Sequence, residues 1–521
     1  MPVHRRFTPL WFAALCLLAA LGGCAVPSAP GTQLPQSGGI NVGSLDASQV
    51  INRITWGLNS TTARQVDVLG LNHYLDHQLH PSAAILPLEI QARMSALATD
   101  QRPLVQRMQD IELHRKTADA ISNDVEKKAA QDTYQQELNG LARNAATRSL
   151  LRDVYSPNQL QEQMTWFWMN HFNIHQGKNN LRAMVGDYED NAIRPHALGT
   201  FRELLTAVVH HPAMLRYLDN DQNALNHLNE NFAREMMELH TLGVGGGYSQ
   251  QDVQELARIL TGVGTNFGST APTVRRELQG QYVRQGLFEF NPNRHDYGDK
   301  RFLGQRMSGS GLAELDAAID RLSRHPATAR FISRKLAMFL VADEPPAVLV
   351  EQMARTFEQT DGDIAATLKT LLTSPQFAQS LGHLFKDPLH YVVASVRLAY
   401  DDKPILNAGP MLNWLSRMAE PLYGRQTPDG YPLGASAWNS PGQMTTRFDI
   451  AKAIGSGSAG LFKTDGPQPV ERAAFPQLSN AIYFQSLQKT LSPATRQVLD
   501  QSNSPQEWNT FLLSSPEIMV R

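Results

Sequence analysis

From about Leu45 onward, apolar residues recur every three or four positions, the rhythm of helices with one face turned to a core. Two segments stand out. Leu160, Met164, Phe167, His171 and Ile174 keep one helix face, so the pattern puts His171 where a core residue belongs. Leu228, Phe232, Glu235, Leu239 and Leu242 repeat the spacing and put Glu235 in the same position, with Asn231 and Glu238 beside it on one edge. Residues 101–154 predict one or two long surface helices. Ser156-Pro157-Asn158-Gln159 predicts a helix start with Ser156 as N-cap, and Ser249 to Asp252 predicts a capping box whose helix Gly262 stops. His325-Pro326 opens a further helix with Ile332, Leu336 and Phe339 on one face.

The exception to the helical rhythm is Arg276–Gly304. Gln281-Tyr282-Val283 and Leu287–Phe290 read as strands, Asn291–Gly298 as a turn and Arg301–Leu303 as a return strand. The expected fold is therefore mainly α: a large multi-helix body over 45–521 with a small β-hairpin insertion around 276–304. A candidate sub-boundary falls near 305–325.

Before the body comes an address. His4, Arg5 and Arg6 precede an apolar run from Leu10 to Leu21, shorter than the roughly 20 residues needed to span a bilayer. Residues 1–23 read as a secretory signal peptide. Leu21-Gly22-Gly23-Cys24 is similar to a bacterial lipoprotein processing site, which implies lipidation of Cys24. Ala25 after it implies an outer-membrane location facing the periplasm. Residues 24–44, rich in Pro, Gly and Ser beyond Cys24, read as a flexible tether. The only other cysteine, Cys16, lies in the leader, so the mature body has none for a disulfide.

Composition adds limits. The 521 residues are 42% hydrophobic, enough for a large core, with 47 basic against 49 acidic side chains. That balance excludes a dedicated nucleic-acid binder, which carries a basic excess.

The candidate chemistry lies where polar groups interrupt the apolar stripes. A carboxylate in a core position requires a cation, a hydrogen-bond network or a proton. Glu235 and Glu238 next to Asn231 make a candidate acid/base cluster, with His171, Glu235 and Glu238 as candidate ligands for a divalent metal. The competing reading is a structural network, with Arg234 paired to Glu238 and Arg194 or Arg202 nearby. His171 and His175 share a face, and seven of the 16 histidines fall between 171 and 240, which raises the metal reading. His240 points away from Glu235 on a continuous helix and joins it only if the helix ends early. His295 and Asp296 are further contributors, although their neighbours also suit a plain turn. The glycines at 243–247 read as a helix stop. Gly455 to Thr464 has the wrong spacing for a phosphate loop, and no G-x-S-x-G elbow occurs.

Asn229-Glu-Asn-Phe-Ala-Arg-Glu-Met-Met-Glu-Leu-His-Thr-Leu-Gly-Val244, Tyr248-Ser-Gln-Gln-Asp-Val253 and Ala257-Arg-Ile-Leu-Thr-Gly262 resemble the signature of the domain-of-unknown-function 1800 family. So do Trp168-Met-Asn-His-Phe-Asn173, Tyr217-Leu-Asp-Asn220, His295-Asp296 with Lys300, and Pro428-Asp-Gly-Tyr-Pro432 with Trp438. The resemblance spans roughly 48–460 and departs at His175, which weakens the His171/His175 pair. It implies an exported, largely helical bacterial protein and carries over no reaction. It also implies a secreted partner from the domain-of-unknown-function 1501 family, whose fold is similar to that of alkaline phosphatases.

Two functions follow as expectations. One is a metal-assisted or carboxylate-based hydrolase with a pocket between the 157–175 and 224–243 helices. The other is a non-catalytic helical scaffold that docks a secreted partner.

Overall fold

Helix starts in this chain repeat one device. A residue with a side-chain acceptor precedes a proline: His211-Pro212, His325-Pro326, Ser374-Pro375, Asp387-Pro388, Ser440-Pro441, Ser492-Pro493 and Ser504-Pro505. Each acceptor takes a backbone N–H of the first turn, and proline occupies the position where a missing N–H costs nothing.

The structure is a computed structural model that describes residues 41–97, 102–307, 309–401, 403–463 and 475–521. The leader, Cys24 and most of the tether lie outside the described residues. Residues 42–44 form a 3-10 turn with Val42 buried, so the described end of the expected tether packs onto the body.

The helices that position the site are α1 (Ala47–Ile54), α2 (Asp124–Tyr155), α3 (Gln159–His171), α4 (Phe201–His210), α5 (Asn231–Glu238) and α6 (Gln250–Ile259). They are followed by α7 (Leu312–Ser323), α8 (Pro326–Leu340), α9 (Ala347–Gln359) and α10 (Pro388–Tyr400). Long helices do fill 101–154: Leu104–Asp119 packs on α2. The capping box at Ser249/Asp252 forms as expected. The start of α3 differs. Ser156 closes α2, its N–H donating to the Arg152 carbonyl, and Asn158 precedes α3. Gln159 ties the junction, donating to the carbonyls of Asp153 and Ser156 and accepting the Trp56 N–H.

The fold is mainly α, as expected, with two small antiparallel sheets among the described residues. The β region is larger than the expected hairpin. Strand β1 (Val263–Thr265) pairs with β3 (Phe288–Phe290), which pairs with β2 (Val283–Gln285). Arg301–Phe302 pairs instead with Gln305–Arg306 in a separate ribbon, and Arg276–Gln281 is a 3-10 helix.

The described residues of the body belong to one compact unit, with the expected sub-boundary near 305–325 inside it. Contacts cross that point directly: Arg202 of α4 pairs with Asp320 of α7, and the Phe201 N–H donates to the Gly362 carbonyl. At the centre, α3 is buried around almost its whole circumference, including Trp166, Phe167, Trp168 and His171.

Gly262 joins α6 to β1 with φ +81°, and a Cβ there would sit 2.6 Å from the Asn291 carbonyl oxygen. Gly262→Ala is expected to destabilise the body by more than ~1 kcal/mol, read as a lower urea midpoint, because strain and collision add. An unchanged midpoint refutes this account of the junction.

Candidate functional site

The rhythm that places His171 in the core is correct: Leu160, Met164, Phe167, His171 and Ile174 are all buried. Its ring lies among Phe167, Trp168, Phe172 and Phe331, with Phe172 edge-on at 4.5 Å. Nε2 stands 3.0 Å from the His240 carbonyl oxygen and Nδ1 stands 2.9 Å from Lys335 Nζ. A carbonyl only accepts, so Nε2 carries the hydrogen and Nδ1 accepts from Lys335. Burial, with the Lys335 charge adding, holds His171 well below the usual imidazole range. It is neutral.

The rhythm that places Glu235 in the core fails. Leu228 precedes α5 and is 41% exposed, and the buried face is Phe232, Ala233, Met236 and Met237. Glu235 is half-buried, one step off that face. The helix ends at Glu238 in a wider turn: the His240 N–H donates to the Glu235 carbonyl and the Leu242 N–H to that of Met237. The extra residue per turn carries His240, Thr241 and Leu242 into the core. His240 therefore meets His171, ring centres 6.1 Å apart, while Glu235 does not. Burial, with Lys335 adding, pushes His240 down to about 3. Neither of its ring nitrogens has a hydrogen-bond partner among the described residues.

The expected ion pairs also differ. Arg234 pairs with Glu230 at 3.0 Å rather than with Glu238. Arg194 binds Glu162 and Glu189, and Arg202 binds Asp320. Asn231 is exposed and donates to the Leu218 carbonyl. His175 lies beyond the end of α3, so it shares no helix face with His171.

His295 and Asp296 form a separate group. His295 Nδ1 donates to the Thr261 carbonyl at 2.7 Å, and Nε2 faces Glu314, which Lys300 Nζ meets at 2.8 Å. Asp296 is paired with Arg258 at 2.7 Å, which holds its carboxyl below the usual range. None of these partners belongs to the His171 group.

The candidate metal set of His171, Glu235 and Glu238 does not assemble. Both His171 nitrogens are engaged by Lys335 and a carbonyl. Among the described residues no group of three or more His, Cys, Asp or Glu is arranged to hold a metal ion.

The residue that pattern reading misses is Lys335, from α8. It is half-buried, its ammonium 5.6 Å from the centre of the Phe331 ring. Burial pushes it down to about 8, with Asp429 opposing. Asp429 belongs to a loop that three side chains hold against the helices. Asn170 and the Tyr431 backbone bond reciprocally, at 2.9 and 2.6 Å; Asn173 donates to the Arg425 and Thr427 carbonyls; Tyr217 donates to the Gln426 carbonyl. Gly430, with φ +77°, packs so closely on Asn170 that a Cβ would collide with its carbonyl. Glu235 is raised by burial and by Glu238, Arg234 opposing and Asp429 adding. Asp429 therefore influences both Lys335 and Glu235. Asp429 is thus the group common to a lysine of lowered proton affinity and a carboxyl of raised affinity.

A mainly helical body with a lysine held on a buried histidine defines the class, and comparison supplies the family. The chain belongs to the DUF1800 family, described as "Protein of unknown function", whose pattern matches residues 49–520. No curated protein and no solved structure matches the chain.

The neutral state of His240 has a consequence for stability. Its folded affinity for protons lies below the unfolded value of about 6.5, so the unfolded chain binds the extra proton and stability falls as pH drops from about 6.5 towards 3. Compared with His240→Leu, the natural chain is expected to lose up to ~1.4 kcal/mol more per pH unit in that window. Parallel stability–pH curves for the two chains overturn the assignment.

Proposed function

We propose that the chain is an exported, lipid-anchored cell-envelope protein whose site performs carboxylate- and lysine-based hydrolysis without a metal. The observation that carries the catalytic half is the 2.9 Å contact between Lys335 Nζ and the buried, neutral His171. An imidazole that donates to a carbonyl has only a lone pair to offer the lysine. It fixes the amine in place without adding positive charge. Lys335, lowered to about 8, retains a useful neutral fraction near pH 7 and acts as general base towards water. Glu235, raised by burial, supplies the proton to the leaving group. Segments far apart in sequence supply the surroundings: Asn170 and Asn173, Tyr217, Glu235 and Asp429.

The test has two parts. The full chain in detergent is assayed against aryl esters, phosphate and sulfate monoesters, aryl glycosides and peptides. Lys335→Met and Glu235→Gln are each expected to lower kcat/KM by about 100-fold or more, with thermal midpoints close to that of the natural chain. Independently, arylation of Lys335 by fluorodinitrobenzene is expected to rise with pH around a midpoint near 8. Arylation that follows ordinary surface lysines overturns the base assignment, as does hydrolysis that survives both substitutions.

A second reading is favoured by how the buried cations are used. Arg53, Arg397 and Arg447 donate to backbone carbonyls of remote segments. A body tied in this way suits a rigid scaffold that docks a secreted partner, such as a domain-of-unknown-function 1501 protein. Binding of such a partner with no hydrolysis of any substrate class selects this reading.

The envelope half rests on the leader and on Cys24. Among the described residues no helix is long and apolar enough to cross a membrane; on this reading the lipid on Cys24 is the anchor. Cys24→Ser is expected to move the protein from the membrane to the soluble envelope fraction. Retention in the membrane refutes lipidation.

A further inference from the structure

A second lysine, far from Lys335 in sequence, has surroundings that nothing so far explains. Lys386 precedes α10 and is 4% exposed, yet it lines a cavity of about 460 Å³. The cavity lies between α1, the 381–386 stretch, α10 and the 486–490 segment, and its wall includes Leu58, Leu381, Leu398, Leu487 and Ile518. Across its rim, Ser48 donates to Ser486 at 2.8 Å and Lys489 pairs with Asp46 at 2.6 Å. The volume suits a small organic molecule, and besides the aliphatic side chains the lining includes Asp46, Lys489 and Glu517.

The amine itself is poorly compensated. Its recorded partner is the Ile518 carbonyl, at 2.9 Å, and no carboxylate is paired with it among the described residues. The nearest carboxylate in sequence, Asp387, is committed to His390, with 2.8 and 2.9 Å contacts to Nδ1. Guanidinium groups crowd the same region: Arg447 donates to the Lys386 carbonyl at 2.7 Å, and Arg521 lies against His390 Nε2 at 2.5 Å. An ammonium with one acceptor, next to two other cations and away from water, sheds its proton at modest pH. A neutral amine in an apolar cavity is a nucleophile.

We infer that Lys386 is a covalent attachment site for an apolar carbonyl compound, an aliphatic aldehyde or ketone held in the 460 Å³ cavity. The Nζ lone pair attacks the carbonyl carbon as the C=O π electrons move to oxygen, giving a carbinolamine after proton transfer from nitrogen to oxygen. Loss of that oxygen as water forms the C=N bond, so one water leaves for each imine formed. No oxidant or further reactant enters. The direction of the proton equilibrium agrees: burial, with Arg521 and Arg447 adding, pushes Lys386 down to about 7. The apolar wall favours an alkyl chain, and removal of bulk water favours the dehydrated imine over its hydrolysis.

The experiment treats the intact chain in detergent at pH 7 with substoichiometric octanal and cyanoborohydride, which reduces any imine to a stable secondary amine. Peptide mapping then locates the octyl group. Lys386 is expected to carry it at roughly tenfold or more the yield of any surface lysine, since its neutral fraction at pH 7 is far larger. Lys386→Met removes the dominant site. Leu398→Trp, which leaves the amine but fills the cavity, lowers labelling of Lys386 to the level of surface lysines. Octyl groups spread over surface lysines with Lys386 unmodified in the natural chain overturn the inference, whatever either variant does. Labelling of Lys386 that Leu398→Trp leaves unchanged in a folded chain overturns the role of the cavity.

Discussion

A hydrogen-bond donor taken out of water must find an acceptor, and much of this body is organised by cations that find theirs in remote backbone carbonyls. Arg53 of α1 donates to the carbonyls of Leu340, Ser380 and Arg521, joining the start of the body to the end of α8 and to the last residue. Arg397 of α10 reaches the carbonyls of Gly57 and Val154. A guanidinium has five donors in a rigid fork, so one buried side chain fixes several segments at once. Removing such a side chain strands several carbonyls together. These ties hold many short, mainly helical elements together, with no cysteine among the described residues.

The same constraint explains which part of the site the sequence reveals. The register of α3 runs unbroken from Leu160 to His171, so counting every third and fourth position puts His171 in the core, where it is. The same counting across 228–242 assumes one continuous helix, but α5 has eight residues and ends in a wide turn. Leu228 never enters the helix, and the turn adds a residue before Leu242. The apparent phase is then one step off, which puts Glu235 at the edge and His240 inside. The short strand β1 follows directly on Gly262 and has too few residues for alternation to register. Lys335 looks like a surface residue because it stands beside the apolar face of α8 rather than on it. Only the packing of α3 against α8 turns it inward.

His171 and His240 illustrate how a buried polar group serves another. His171 is fully engaged, one nitrogen giving and the other receiving. His240 contributes its backbone carbonyl to that arrangement while its own ring has no hydrogen-bond partner among the described residues. An unpaired buried imidazole costs about 1–3 kcal/mol, which ordinary packing selects against. The wide turn after Glu238 supplies that carbonyl, and the His240 ring is carried into the core with it. Stability is thus given up at one imidazole to hold another, and through it a lysine, in a defined protonation state.

Lys335 and Lys386, proposed as a base and a nucleophile, differ in their neighbours. Lys335 has an imidazole at hydrogen-bond distance and a carboxylate, Asp429, acting on it, so its amine is oriented and partly stabilised as a cation. Such a group takes a proton and returns it. Lys386 has a carbonyl and two guanidiniums as neighbours and is paired with no carboxylate among the described residues, so burial and the guanidiniums favour loss of its proton. A single measurement of proton affinity would group the two together; the lowered values are near neighbours. What divides them is the space in front of the amine: Lys335 meets the His171 ring, whereas Lys386 lines a cavity whose wall includes Leu58, Leu381, Leu398 and Leu487. In forming the proposed imine, a carbonyl carbon reaches the second amine by bringing its alkyl chain against Leu58, Leu381, Leu398 and Leu487, so the shape of that aliphatic wall contributes to selection.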